Sequence, residues 1–189
     1  GVIILFSEYI DSGCIPLALA LESVGLKRYR SQKTTSPETL MKRTQLSGIQ
    51  ARDAITMKPR DEFISSQIEG QPKFKQARYA IITGDKNISP NPAVEIKAAT
   101  SKSNVYGSDI KVIIISRTGS EGVDFKYIRQ VHILEPWYNL NRTDQIIGRA
   151  VRNKSHCDLP FNERNVEIFL YGTQLDDDTV ESADMYMYR

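Results

Sequence analysis

The residues of this chain most suited to chemistry are two arginines and a glutamine within residues 145–152. Gln145, Arg149 and Arg152 are separated by offsets of four and seven positions, and side chains at such offsets share one face of a helix. Arginine presents a rigid fork of donors that stays charged, so this face could clamp a polyphosphate. A solvated basic helix surface is the simpler interpretation of the same pattern.

A glycine-containing turn lies earlier in the chain, directly after a predicted apolar strand. It includes Gly119 and Gly122, and glycines let backbone amides approach a phosphate or a ribose closely. Open α/β sheets bind ligands at the carboxyl ends of their strands, which is where this turn falls. Asp124 could accept a ribose hydroxyl there, although a turn or cap role explains a single Asp equally well.

A second strand runs into an aromatic loop that carries Trp137, the only tryptophan. Trp137 could stack on a base or pack against the sheet, and packing is the favoured interpretation. The chain has two histidines and two cysteines: His132, His156, Cys14 and Cys157. Their spacing fits no metal or catalytic site, so we predict no metal site and two reduced thiols.

Two parts of a phosphoryl-transfer site are missing from the sequence. It contains no Gly-x-x-x-x-Gly-Lys-Ser/Thr phosphate loop, and its Asp61-Glu62 pair lies in a polar segment instead of at the end of an apolar strand. Phosphoryl transfer needs both a phosphate cradle and magnesium ligands. The chain is therefore expected to supply only one wall of such a site.

Composition limits the class of protein. The 189 residues are 40% hydrophobic and 25% charged, as in a globular domain, and no apolar run is long enough to cross a membrane. The two cysteines are too few and too unpatterned for a disulfide framework, so we expect an intracellular protein. The net charge is only +2, yet residues 27–78 hold 12 Lys and Arg against 5 Asp and Glu. This basic segment could follow a nucleic-acid backbone or could be a solvated insertion, and both interpretations stay open.

Short β-branched runs alternate with helical patterns, which predicts an α/β fold: a mostly parallel sheet with helices on both faces. Strands are predicted over Val2–Phe6, Tyr79–Thr83, Ile110–Ser116, Gln130–Leu134 and Val166–Tyr171. Helices are predicted over Ile10–Val24, Leu40–Ile55, Asn91–Thr100 and Arg142–Val151. We interpret residues 1–189 as one domain that contains an irregular basic insertion at residues 27–78.

Three segments, in order, resemble motifs of the second RecA-like lobe of superfamily-two helicases and translocases. Gln145–Arg152 resembles the sixth motif, Gln-x-x-Gly-Arg-x-x-Arg, while Thr118–Asp124 resembles the fifth and Ile3–Glu8 the fourth. The segments Arg129–Asn139 and Arg152–Pro160 are similar to transcription-associated ATPases of large double-stranded DNA viruses, including the poxvirus early-transcription-factor and nucleoside-triphosphatase types.

The resemblance implies a role for individual residues. Arg152 would be the arginine finger and Arg149 would contact the same phosphates, across a cleft from ATP and Mg²⁺ held mainly by a first lobe that this sequence does not include. The residues implied at the nucleotide are Gly122, Asp124, Gln145 and Gly148. Those implied along a DNA or RNA backbone are Ser7, Thr100, Arg117 and Thr118.

By the same resemblance, the partners would be nucleic acid, the first lobe and viral transcription machinery, in the virion or a cytoplasmic virus factory. The lobe alone is expected to be nearly inactive. The alternative is a non-catalytic module that docks DNA or transcription proteins through residues 27–78. Charge reversal of Lys42, Arg43 and Arg52 would then abolish DNA binding and leave ATP hydrolysis unchanged.

Overall fold

A six-stranded parallel sheet forms the centre of the computed structural model, which describes residues 1–30, 39–42, 44–68, 70, 72–120, 122–176 and 180–189. The strands lie in the order β2-β3-β4-β1-β5-β6, and each neighbouring pair is parallel. Their bounds are β1 Val2–Phe6, β2 Lys27–Arg28, β3 Arg78–Ile82, β4 Val112–Ile115, β5 Ile128–Ile133 and β6 Glu167–Leu170. The predicted α/β class with a parallel sheet is confirmed.

The central strands are buried on both faces, because their branched apolar residues alternate between two cores. In β1, Val2 and Ile4 belong to one core, whereas Ile3 and Leu5 pack against the other. Strand β4 does the same and is buried along its whole length. Continuous apolar runs of this kind are expected for parallel strands covered on two sides.

Helices cover both faces, as predicted. Helix α1 (Ile15–Ser23) follows a π-helical turn and packs on the face of Ile3 and Leu5. Helices α3 (Pro92–Ala99) and α5 (Leu140–Ala150) pack on the opposite face. The other helices are α2 Arg60–Ser65, α4 Arg117–Ser120 and α6 Ala183–Tyr188. None of the helices in the described part of the chain is long and apolar enough to span a membrane.

The predicted helix over Leu40–Ile55 is wrong for the residues that the structure describes there. Residues 44–48 form turns, and Arg52 and Asp53 make antiparallel bridges with Pro59 and Gln76. The Asp53 carboxylate accepts the amides of residues 55 and 56, at 3.0 and 2.8 Å. Such local bonds from Asp to the backbone compete with a helix.

Two parts of the basic segment belong to the sheet and its core. Strand β2 pairs with β3 through Arg28 and Tyr79 and was not predicted, because two residues are too few to show a period. Further along, Ala54 and Ala77 are fully buried beside Tyr79. The segment thus contributes apolar surface as well as charge.

Candidate functional site

The carboxyl ends of β1, β4 and β5 meet at one edge of the sheet. Strand β1 lies between the other two; the chain leaves β1 toward β2 on one side of the sheet and leaves its neighbour β5 toward β6 on the other. Open α/β sheets bind ligands where neighbouring connections diverge in this way. A cleft of about 340 Å³ lies there, lined by Phe6, Glu8, Arg117, Asn139, Asn141, Arg142, Gln145, Ile146 and Arg149.

Helix α5 presents its polar side chains to this cleft because its other face is buried. Asn139 caps the helix by accepting the Asn141 amide at 2.9 Å, and the buried face consists of Thr143, Ile146 and Ala150. Gln145 and Gly148 remain exposed. Arg149, half-buried, donates from Nη1 to the Val123 carbonyl at 3.2 Å. The helix therefore holds Arg149 against the predicted glycine turn.

Arg152 does not lie on this helix, which corrects the expectation that it shares a helical face with Gln145 and Arg149. The helix ends at Ala150, with Val151 as its C-cap, and residues 153–158 form turns. Lys154 adopts a positive φ of 63°, which redirects the chain. The spacing argument fails here because the last helical turn stops two residues short of Arg152.

The Arg152 side chain nevertheless reaches the same turn, where its Nη1 forms an ion pair with Oδ1 of Asp124. Both side chains are more than half exposed, at 60% and 52%. An ion pair in such a position contributes about 0–1 kcal/mol, so a phosphate can exchange with Asp124 at little cost. Gly122 adopts φ of 71°, a conformation that favours glycine; Glu121, before it, lies outside the described residues.

The loop after β4 exposes Arg117 and Thr118 at the start of α4. It lies very close to the end of β3: a Cβ on Gly119 would be 1.9 Å from the Ile82 carbonyl oxygen, and one on Gly84 would be 2.8 Å from Thr118. The two glycines thus permit a contact that brings Thr118 beside β3. Sequence reasoning missed Gly84, although a Thr-Gly-Asp at the end of an apolar strand was a usable signal.

The hydroxyl of Ser7 is buried and already bonded. It donates to Oε1 of Glu135 at 2.8 Å, while the second oxygen of Glu135 accepts the Glu8 amide at 3.2 Å. Ser7 therefore joins the end of β1 to the loop after β5. It lies at the same edge as Arg117, but its side chain is not exposed to a ligand.

Thr100 is the one sequence candidate that the structure separates from the others. It caps the C-terminus of α3 and donates from Oγ1 to the Ile96 carbonyl at 2.9 Å. Because α3 returns from the end of β3 to the start of β4, its last residue lies at the amino edge of the sheet. Thr100 was assigned from its position in the chain alone, and the direction of α3 excludes it from this cleft.

Sequence reasoning gave no role to Glu8 or Arg142, and it did not identify the residue against which Trp137 packs. Glu8 accepts from Arg142 at 2.9 Å and lies 3.6 Å from an Arg117 nitrogen, with its own side chain only 11% exposed. The Arg142 guanidinium lies 4.1 Å from the centre of the Trp137 ring. Trp137 therefore packs, as expected, but against a cation of the cleft.

Two cations of the basic segment, residues 27–78, are bonded within the fold itself. Arg52 donates to the carbonyls of Val24 and Met57, at 2.8 and 2.9 Å. Lys75 pairs with Asp109 at 2.5 Å. Reversing the charge of Arg52 would therefore perturb the fold, and Arg43 lies outside the described residues. Lys42, which is exposed, remains the usable probe of the docking alternative.

Comparison with protein families adds to this geometry. Residues 53–154, more than half of the chain, match the helicase conserved C-terminal domain. The chain belongs to the helicase C-terminal domain family. The matched residues of this helicase domain include the β4–α4 loop, helix α5 and Arg152, so the family assignment and the cleft coincide.

Relatives of this helicase domain occur in large DNA viruses. A termination factor NPH-I homolog of African swine fever virus is 31% identical over 173 residues, which are 90% of this chain and 23% of the relative. R350 of Acanthamoeba polyphaga mimivirus, named as a proposed ATP-dependent RNA helicase, is 46% identical over 107 residues, 53% of this chain and 13% of the relative. The chain thus spans less than a quarter of either relative.

Proposed function

We propose that this chain is the second RecA-like lobe of an ATP-dependent motor of helicase superfamily two that moves on nucleic acid. A first lobe of the same protein would hold ATP and Mg²⁺, and this lobe would close on the nucleotide from the other side. Closure of the lobes, ATP hydrolysis and reopening would shift the lobes along the nucleic-acid strand. The relatives' own lengths leave ample room for a first lobe.

The observation that carries the proposal is the convergence of two arginines on one exposed turn. Arg152 pairs with Asp124 and Arg149 bonds to Val123, although the two arginines come from different local structures. Arg152 would act as the arginine finger. Its guanidinium would separate from Asp124 and stabilise the negative charge that develops on the transferred phosphoryl group. Arg149, held by a backbone carbonyl, would contact the same phosphates.

Four neighbouring residues complete the proposed nucleotide wall. Gly122 and Asp124 would border the ribose, and Gln145 would connect the nucleotide to the moving interface. Apart from the neighbouring backbone of helix α5, no described atom lies within 4 Å of a Cβ built on Gly148, which leaves a flat helix surface for the opposite lobe. In this proposal the metal would be bound mainly by the first lobe.

Arg117 and Thr118 would bind the phosphates of DNA or RNA, because both are exposed at the carboxyl edge and can contact backbone without reading bases. Thr83-Gly84, beside Thr118, would lie along the same groove. The name of the African swine fever virus relative favours a role in viral transcription. Such a motor would work in the virion or in a cytoplasmic virus factory.

The test is ATP hydrolysis by the intact two-lobed protein with Arg152→Ala. Loss of an arginine finger lowers turnover by roughly 10³- to 10⁵-fold in well-characterised nucleotidases, so we expect turnover to fall steeply while ATP binding persists. Arg189→Ala is the matched control, since Arg189 is an exposed arginine at the end of α6. Normal nucleic-acid-stimulated turnover in Arg152→Ala would refute the proposal.

A further inference from the structure

The position of Arg152 beyond helix α5 raises the question of what holds it at the glycine turn. The helix ends at Ala150, so its rigidity does not extend to the guanidinium. The chain that follows is anchored instead: Ser155 and His156 are buried, at 5% and 9% exposure. The Ser155 amide donates to the Arg152 carbonyl at 3.0 Å, which makes one tight turn of these residues.

The imidazole ring of His156 makes two contacts at hydrogen-bond distance, one through each nitrogen. Nε2 lies 2.6 Å from the Ile128 carbonyl oxygen, and a carbonyl only accepts, so Nε2 carries the hydrogen and donates. Its other nitrogen, Nδ1, lies 2.7 Å from Oγ of Ser155, and that hydroxyl also lies 3.4 Å from the Ala150 carbonyl oxygen. The pair forms a buried bridge from the turn after Arg152 to the first residue of β5.

Tyr127 joins the same bridge from the other side. It adopts a positive φ of 64°, its amide donates to the Ser155 carbonyl at 3.1 Å, and its hydroxyl donates to Asp158 at 2.7 Å. Burial and that hydrogen bond raise the pKa of Tyr127 to about 12, so the hydroxyl remains a donor at neutral pH. The loop that carries Asp124 ends at Tyr127, and the turn that carries Arg152 leads into Ser155.

We propose that Ser155 and His156 are positioning residues for the arginine finger. Their bridge to Tyr127 and Ile128 fixes the Arg152 turn against the Asp124 loop, so the finger approaches the phosphates from a set position. The assignment rests on the proposed role of Arg152. Sequence reasoning left His156 as a structural residue without a catalytic partner; here it acts through its neighbour and touches no substrate.

Two pairs of variants of the intact motor test the bridge. His156→Ala removes both bonds, whereas His156→Gln can still donate to Ile128; Ser155→Ala removes the hydroxyl, whereas Ser155→Thr keeps it. Misplacement of a catalytic group by about 1 Å can cost about 100-fold, so we expect His156→Ala and Ser155→Ala to lower turnover roughly 10- to 100-fold. KM for ATP should stay within about 2-fold, and Gln and Thr should recover part of the loss.

His132→Ala is the matched control. His132 also bonds through its ring, to the Tyr171 hydroxyl at 2.8 Å, and it lies on β5 as Ile128 does. Turnover of this variant should equal that of the parent. Thermal unfolding of each variant separates a positioning effect from a loss of folded protein, and Ser155→Ala keeps the inference testable if His156→Ala does not fold.

The decisive measurement is a double-mutant cycle with Arg152→Lys, followed by single-turnover hydrolysis. If His156 acts through Arg152, the same His156→Ala change should lower turnover much less in the Arg152→Lys background. Equal fold-losses in the two backgrounds would overturn the positioning role and leave the proposed function intact. If Arg152→Lys and Arg152→Ala both hydrolyse ATP normally, the proposed function itself fails.

Discussion

Glu8 accepts a hydrogen bond from Arg142 at 2.9 Å, joining the second residue after the first strand to a helix more than 130 positions later. Arg117 approaches the same carboxylate to 3.6 Å. One acidic side chain thus interacts with a cation from the segment proposed for nucleic acid and with a cation from the helix proposed for the nucleotide. Arg142 also packs on Trp137, so its position is fixed on two sides.

We expect Glu8→Gln to lower the free energy of unfolding by about 1–3 kcal/mol, because a charge-assisted bond is lost in a nearly buried site. Urea denaturation of the chain measures the change. Glu62→Gln, which breaks the exposed Lys58–Glu62 pair on α2, should cost no more than about 0.5 kcal/mol. Equal effects of the two changes would contradict a central role for Glu8.

Replacing Gly119 by alanine should damage the β4–α4 loop. The added Cβ would lie 1.9 Å from a backbone oxygen of β3, which cannot move aside as a flexible side chain can. We expect a loss of stability of roughly 1–3 kcal/mol from overpacking, together with weaker binding of single-stranded nucleic acid by the intact motor. Unchanged unfolding and binding would show that the loop adapts without cost.

We expect Gly148→Ala, in contrast, to increase the stability of the fold. Gly148 lies within helix α5, and apart from the neighbouring backbone of that helix no described atom lies within 4 Å of a built Cβ. Alanine is favoured over glycine in a helix by about 1 kcal/mol. The chain should therefore unfold at a slightly higher temperature. If this surface faces the first lobe, turnover of the intact motor should nevertheless decrease; unchanged turnover would remove Gly148 from the proposed interface.

Asp124→Asn separates stability from function at the glycine turn. The Asp124–Arg152 pair is exposed, so its loss should change the free energy of unfolding by no more than about 1 kcal/mol. The KM for ATP should rise in the intact motor if Asp124 contacts the ribose. Measurements with ATP and its 2′,3′-dideoxy analogue test this point: the variant should discriminate less between them, and undiminished discrimination would exclude the contact.

Glu95 makes the stability of the fold depend on pH. Its carboxylate is fully buried without a hydrogen-bond partner among the described residues, and burial raises its pKa from 4.5 to about 7, partly opposed by the charge of Arg28. Between these values the folded chain binds more protons than the unfolded chain, so stability should fall as pH rises from about 4.5 to about 7. Glu95→Gln should flatten this slope in urea titrations.

The predicted strands and helices of the sheet agree with the structure because each is an apolar run with its own local period. Strand β2 escaped notice because it has two residues, one of them the buried Arg28. The Leu40–Ile55 helix was wrong since the bonds made by Asp53 favour turns over a helix. Local pattern was therefore sufficient only where no side chain competed for the backbone.

Within the candidate site, most of the residues proposed from the motifs lie at one edge of the sheet, and their roles stay predictions. The motif Ile3–Glu8 gave no role to Glu8, because its contacts with Arg117 and Arg142 exist only in the folded chain. The motifs also placed Arg152 on a helix that ends before it. The first difference depends on long-range contacts and the second on where a helix ends, and residue spacing alone specifies neither.

The central location of β1 has a kinetic consequence. Ile3 pairs with Val112 on one side and with Gln130 on the other, so the middle of the sheet is made from segments more than 100 residues apart. Contacts this remote are slow to form, and synthesis at about 5–20 residues per second delays them by several seconds more. During translation, β1 therefore stays without a partner strand until β4, more than 100 residues later, has left the ribosome.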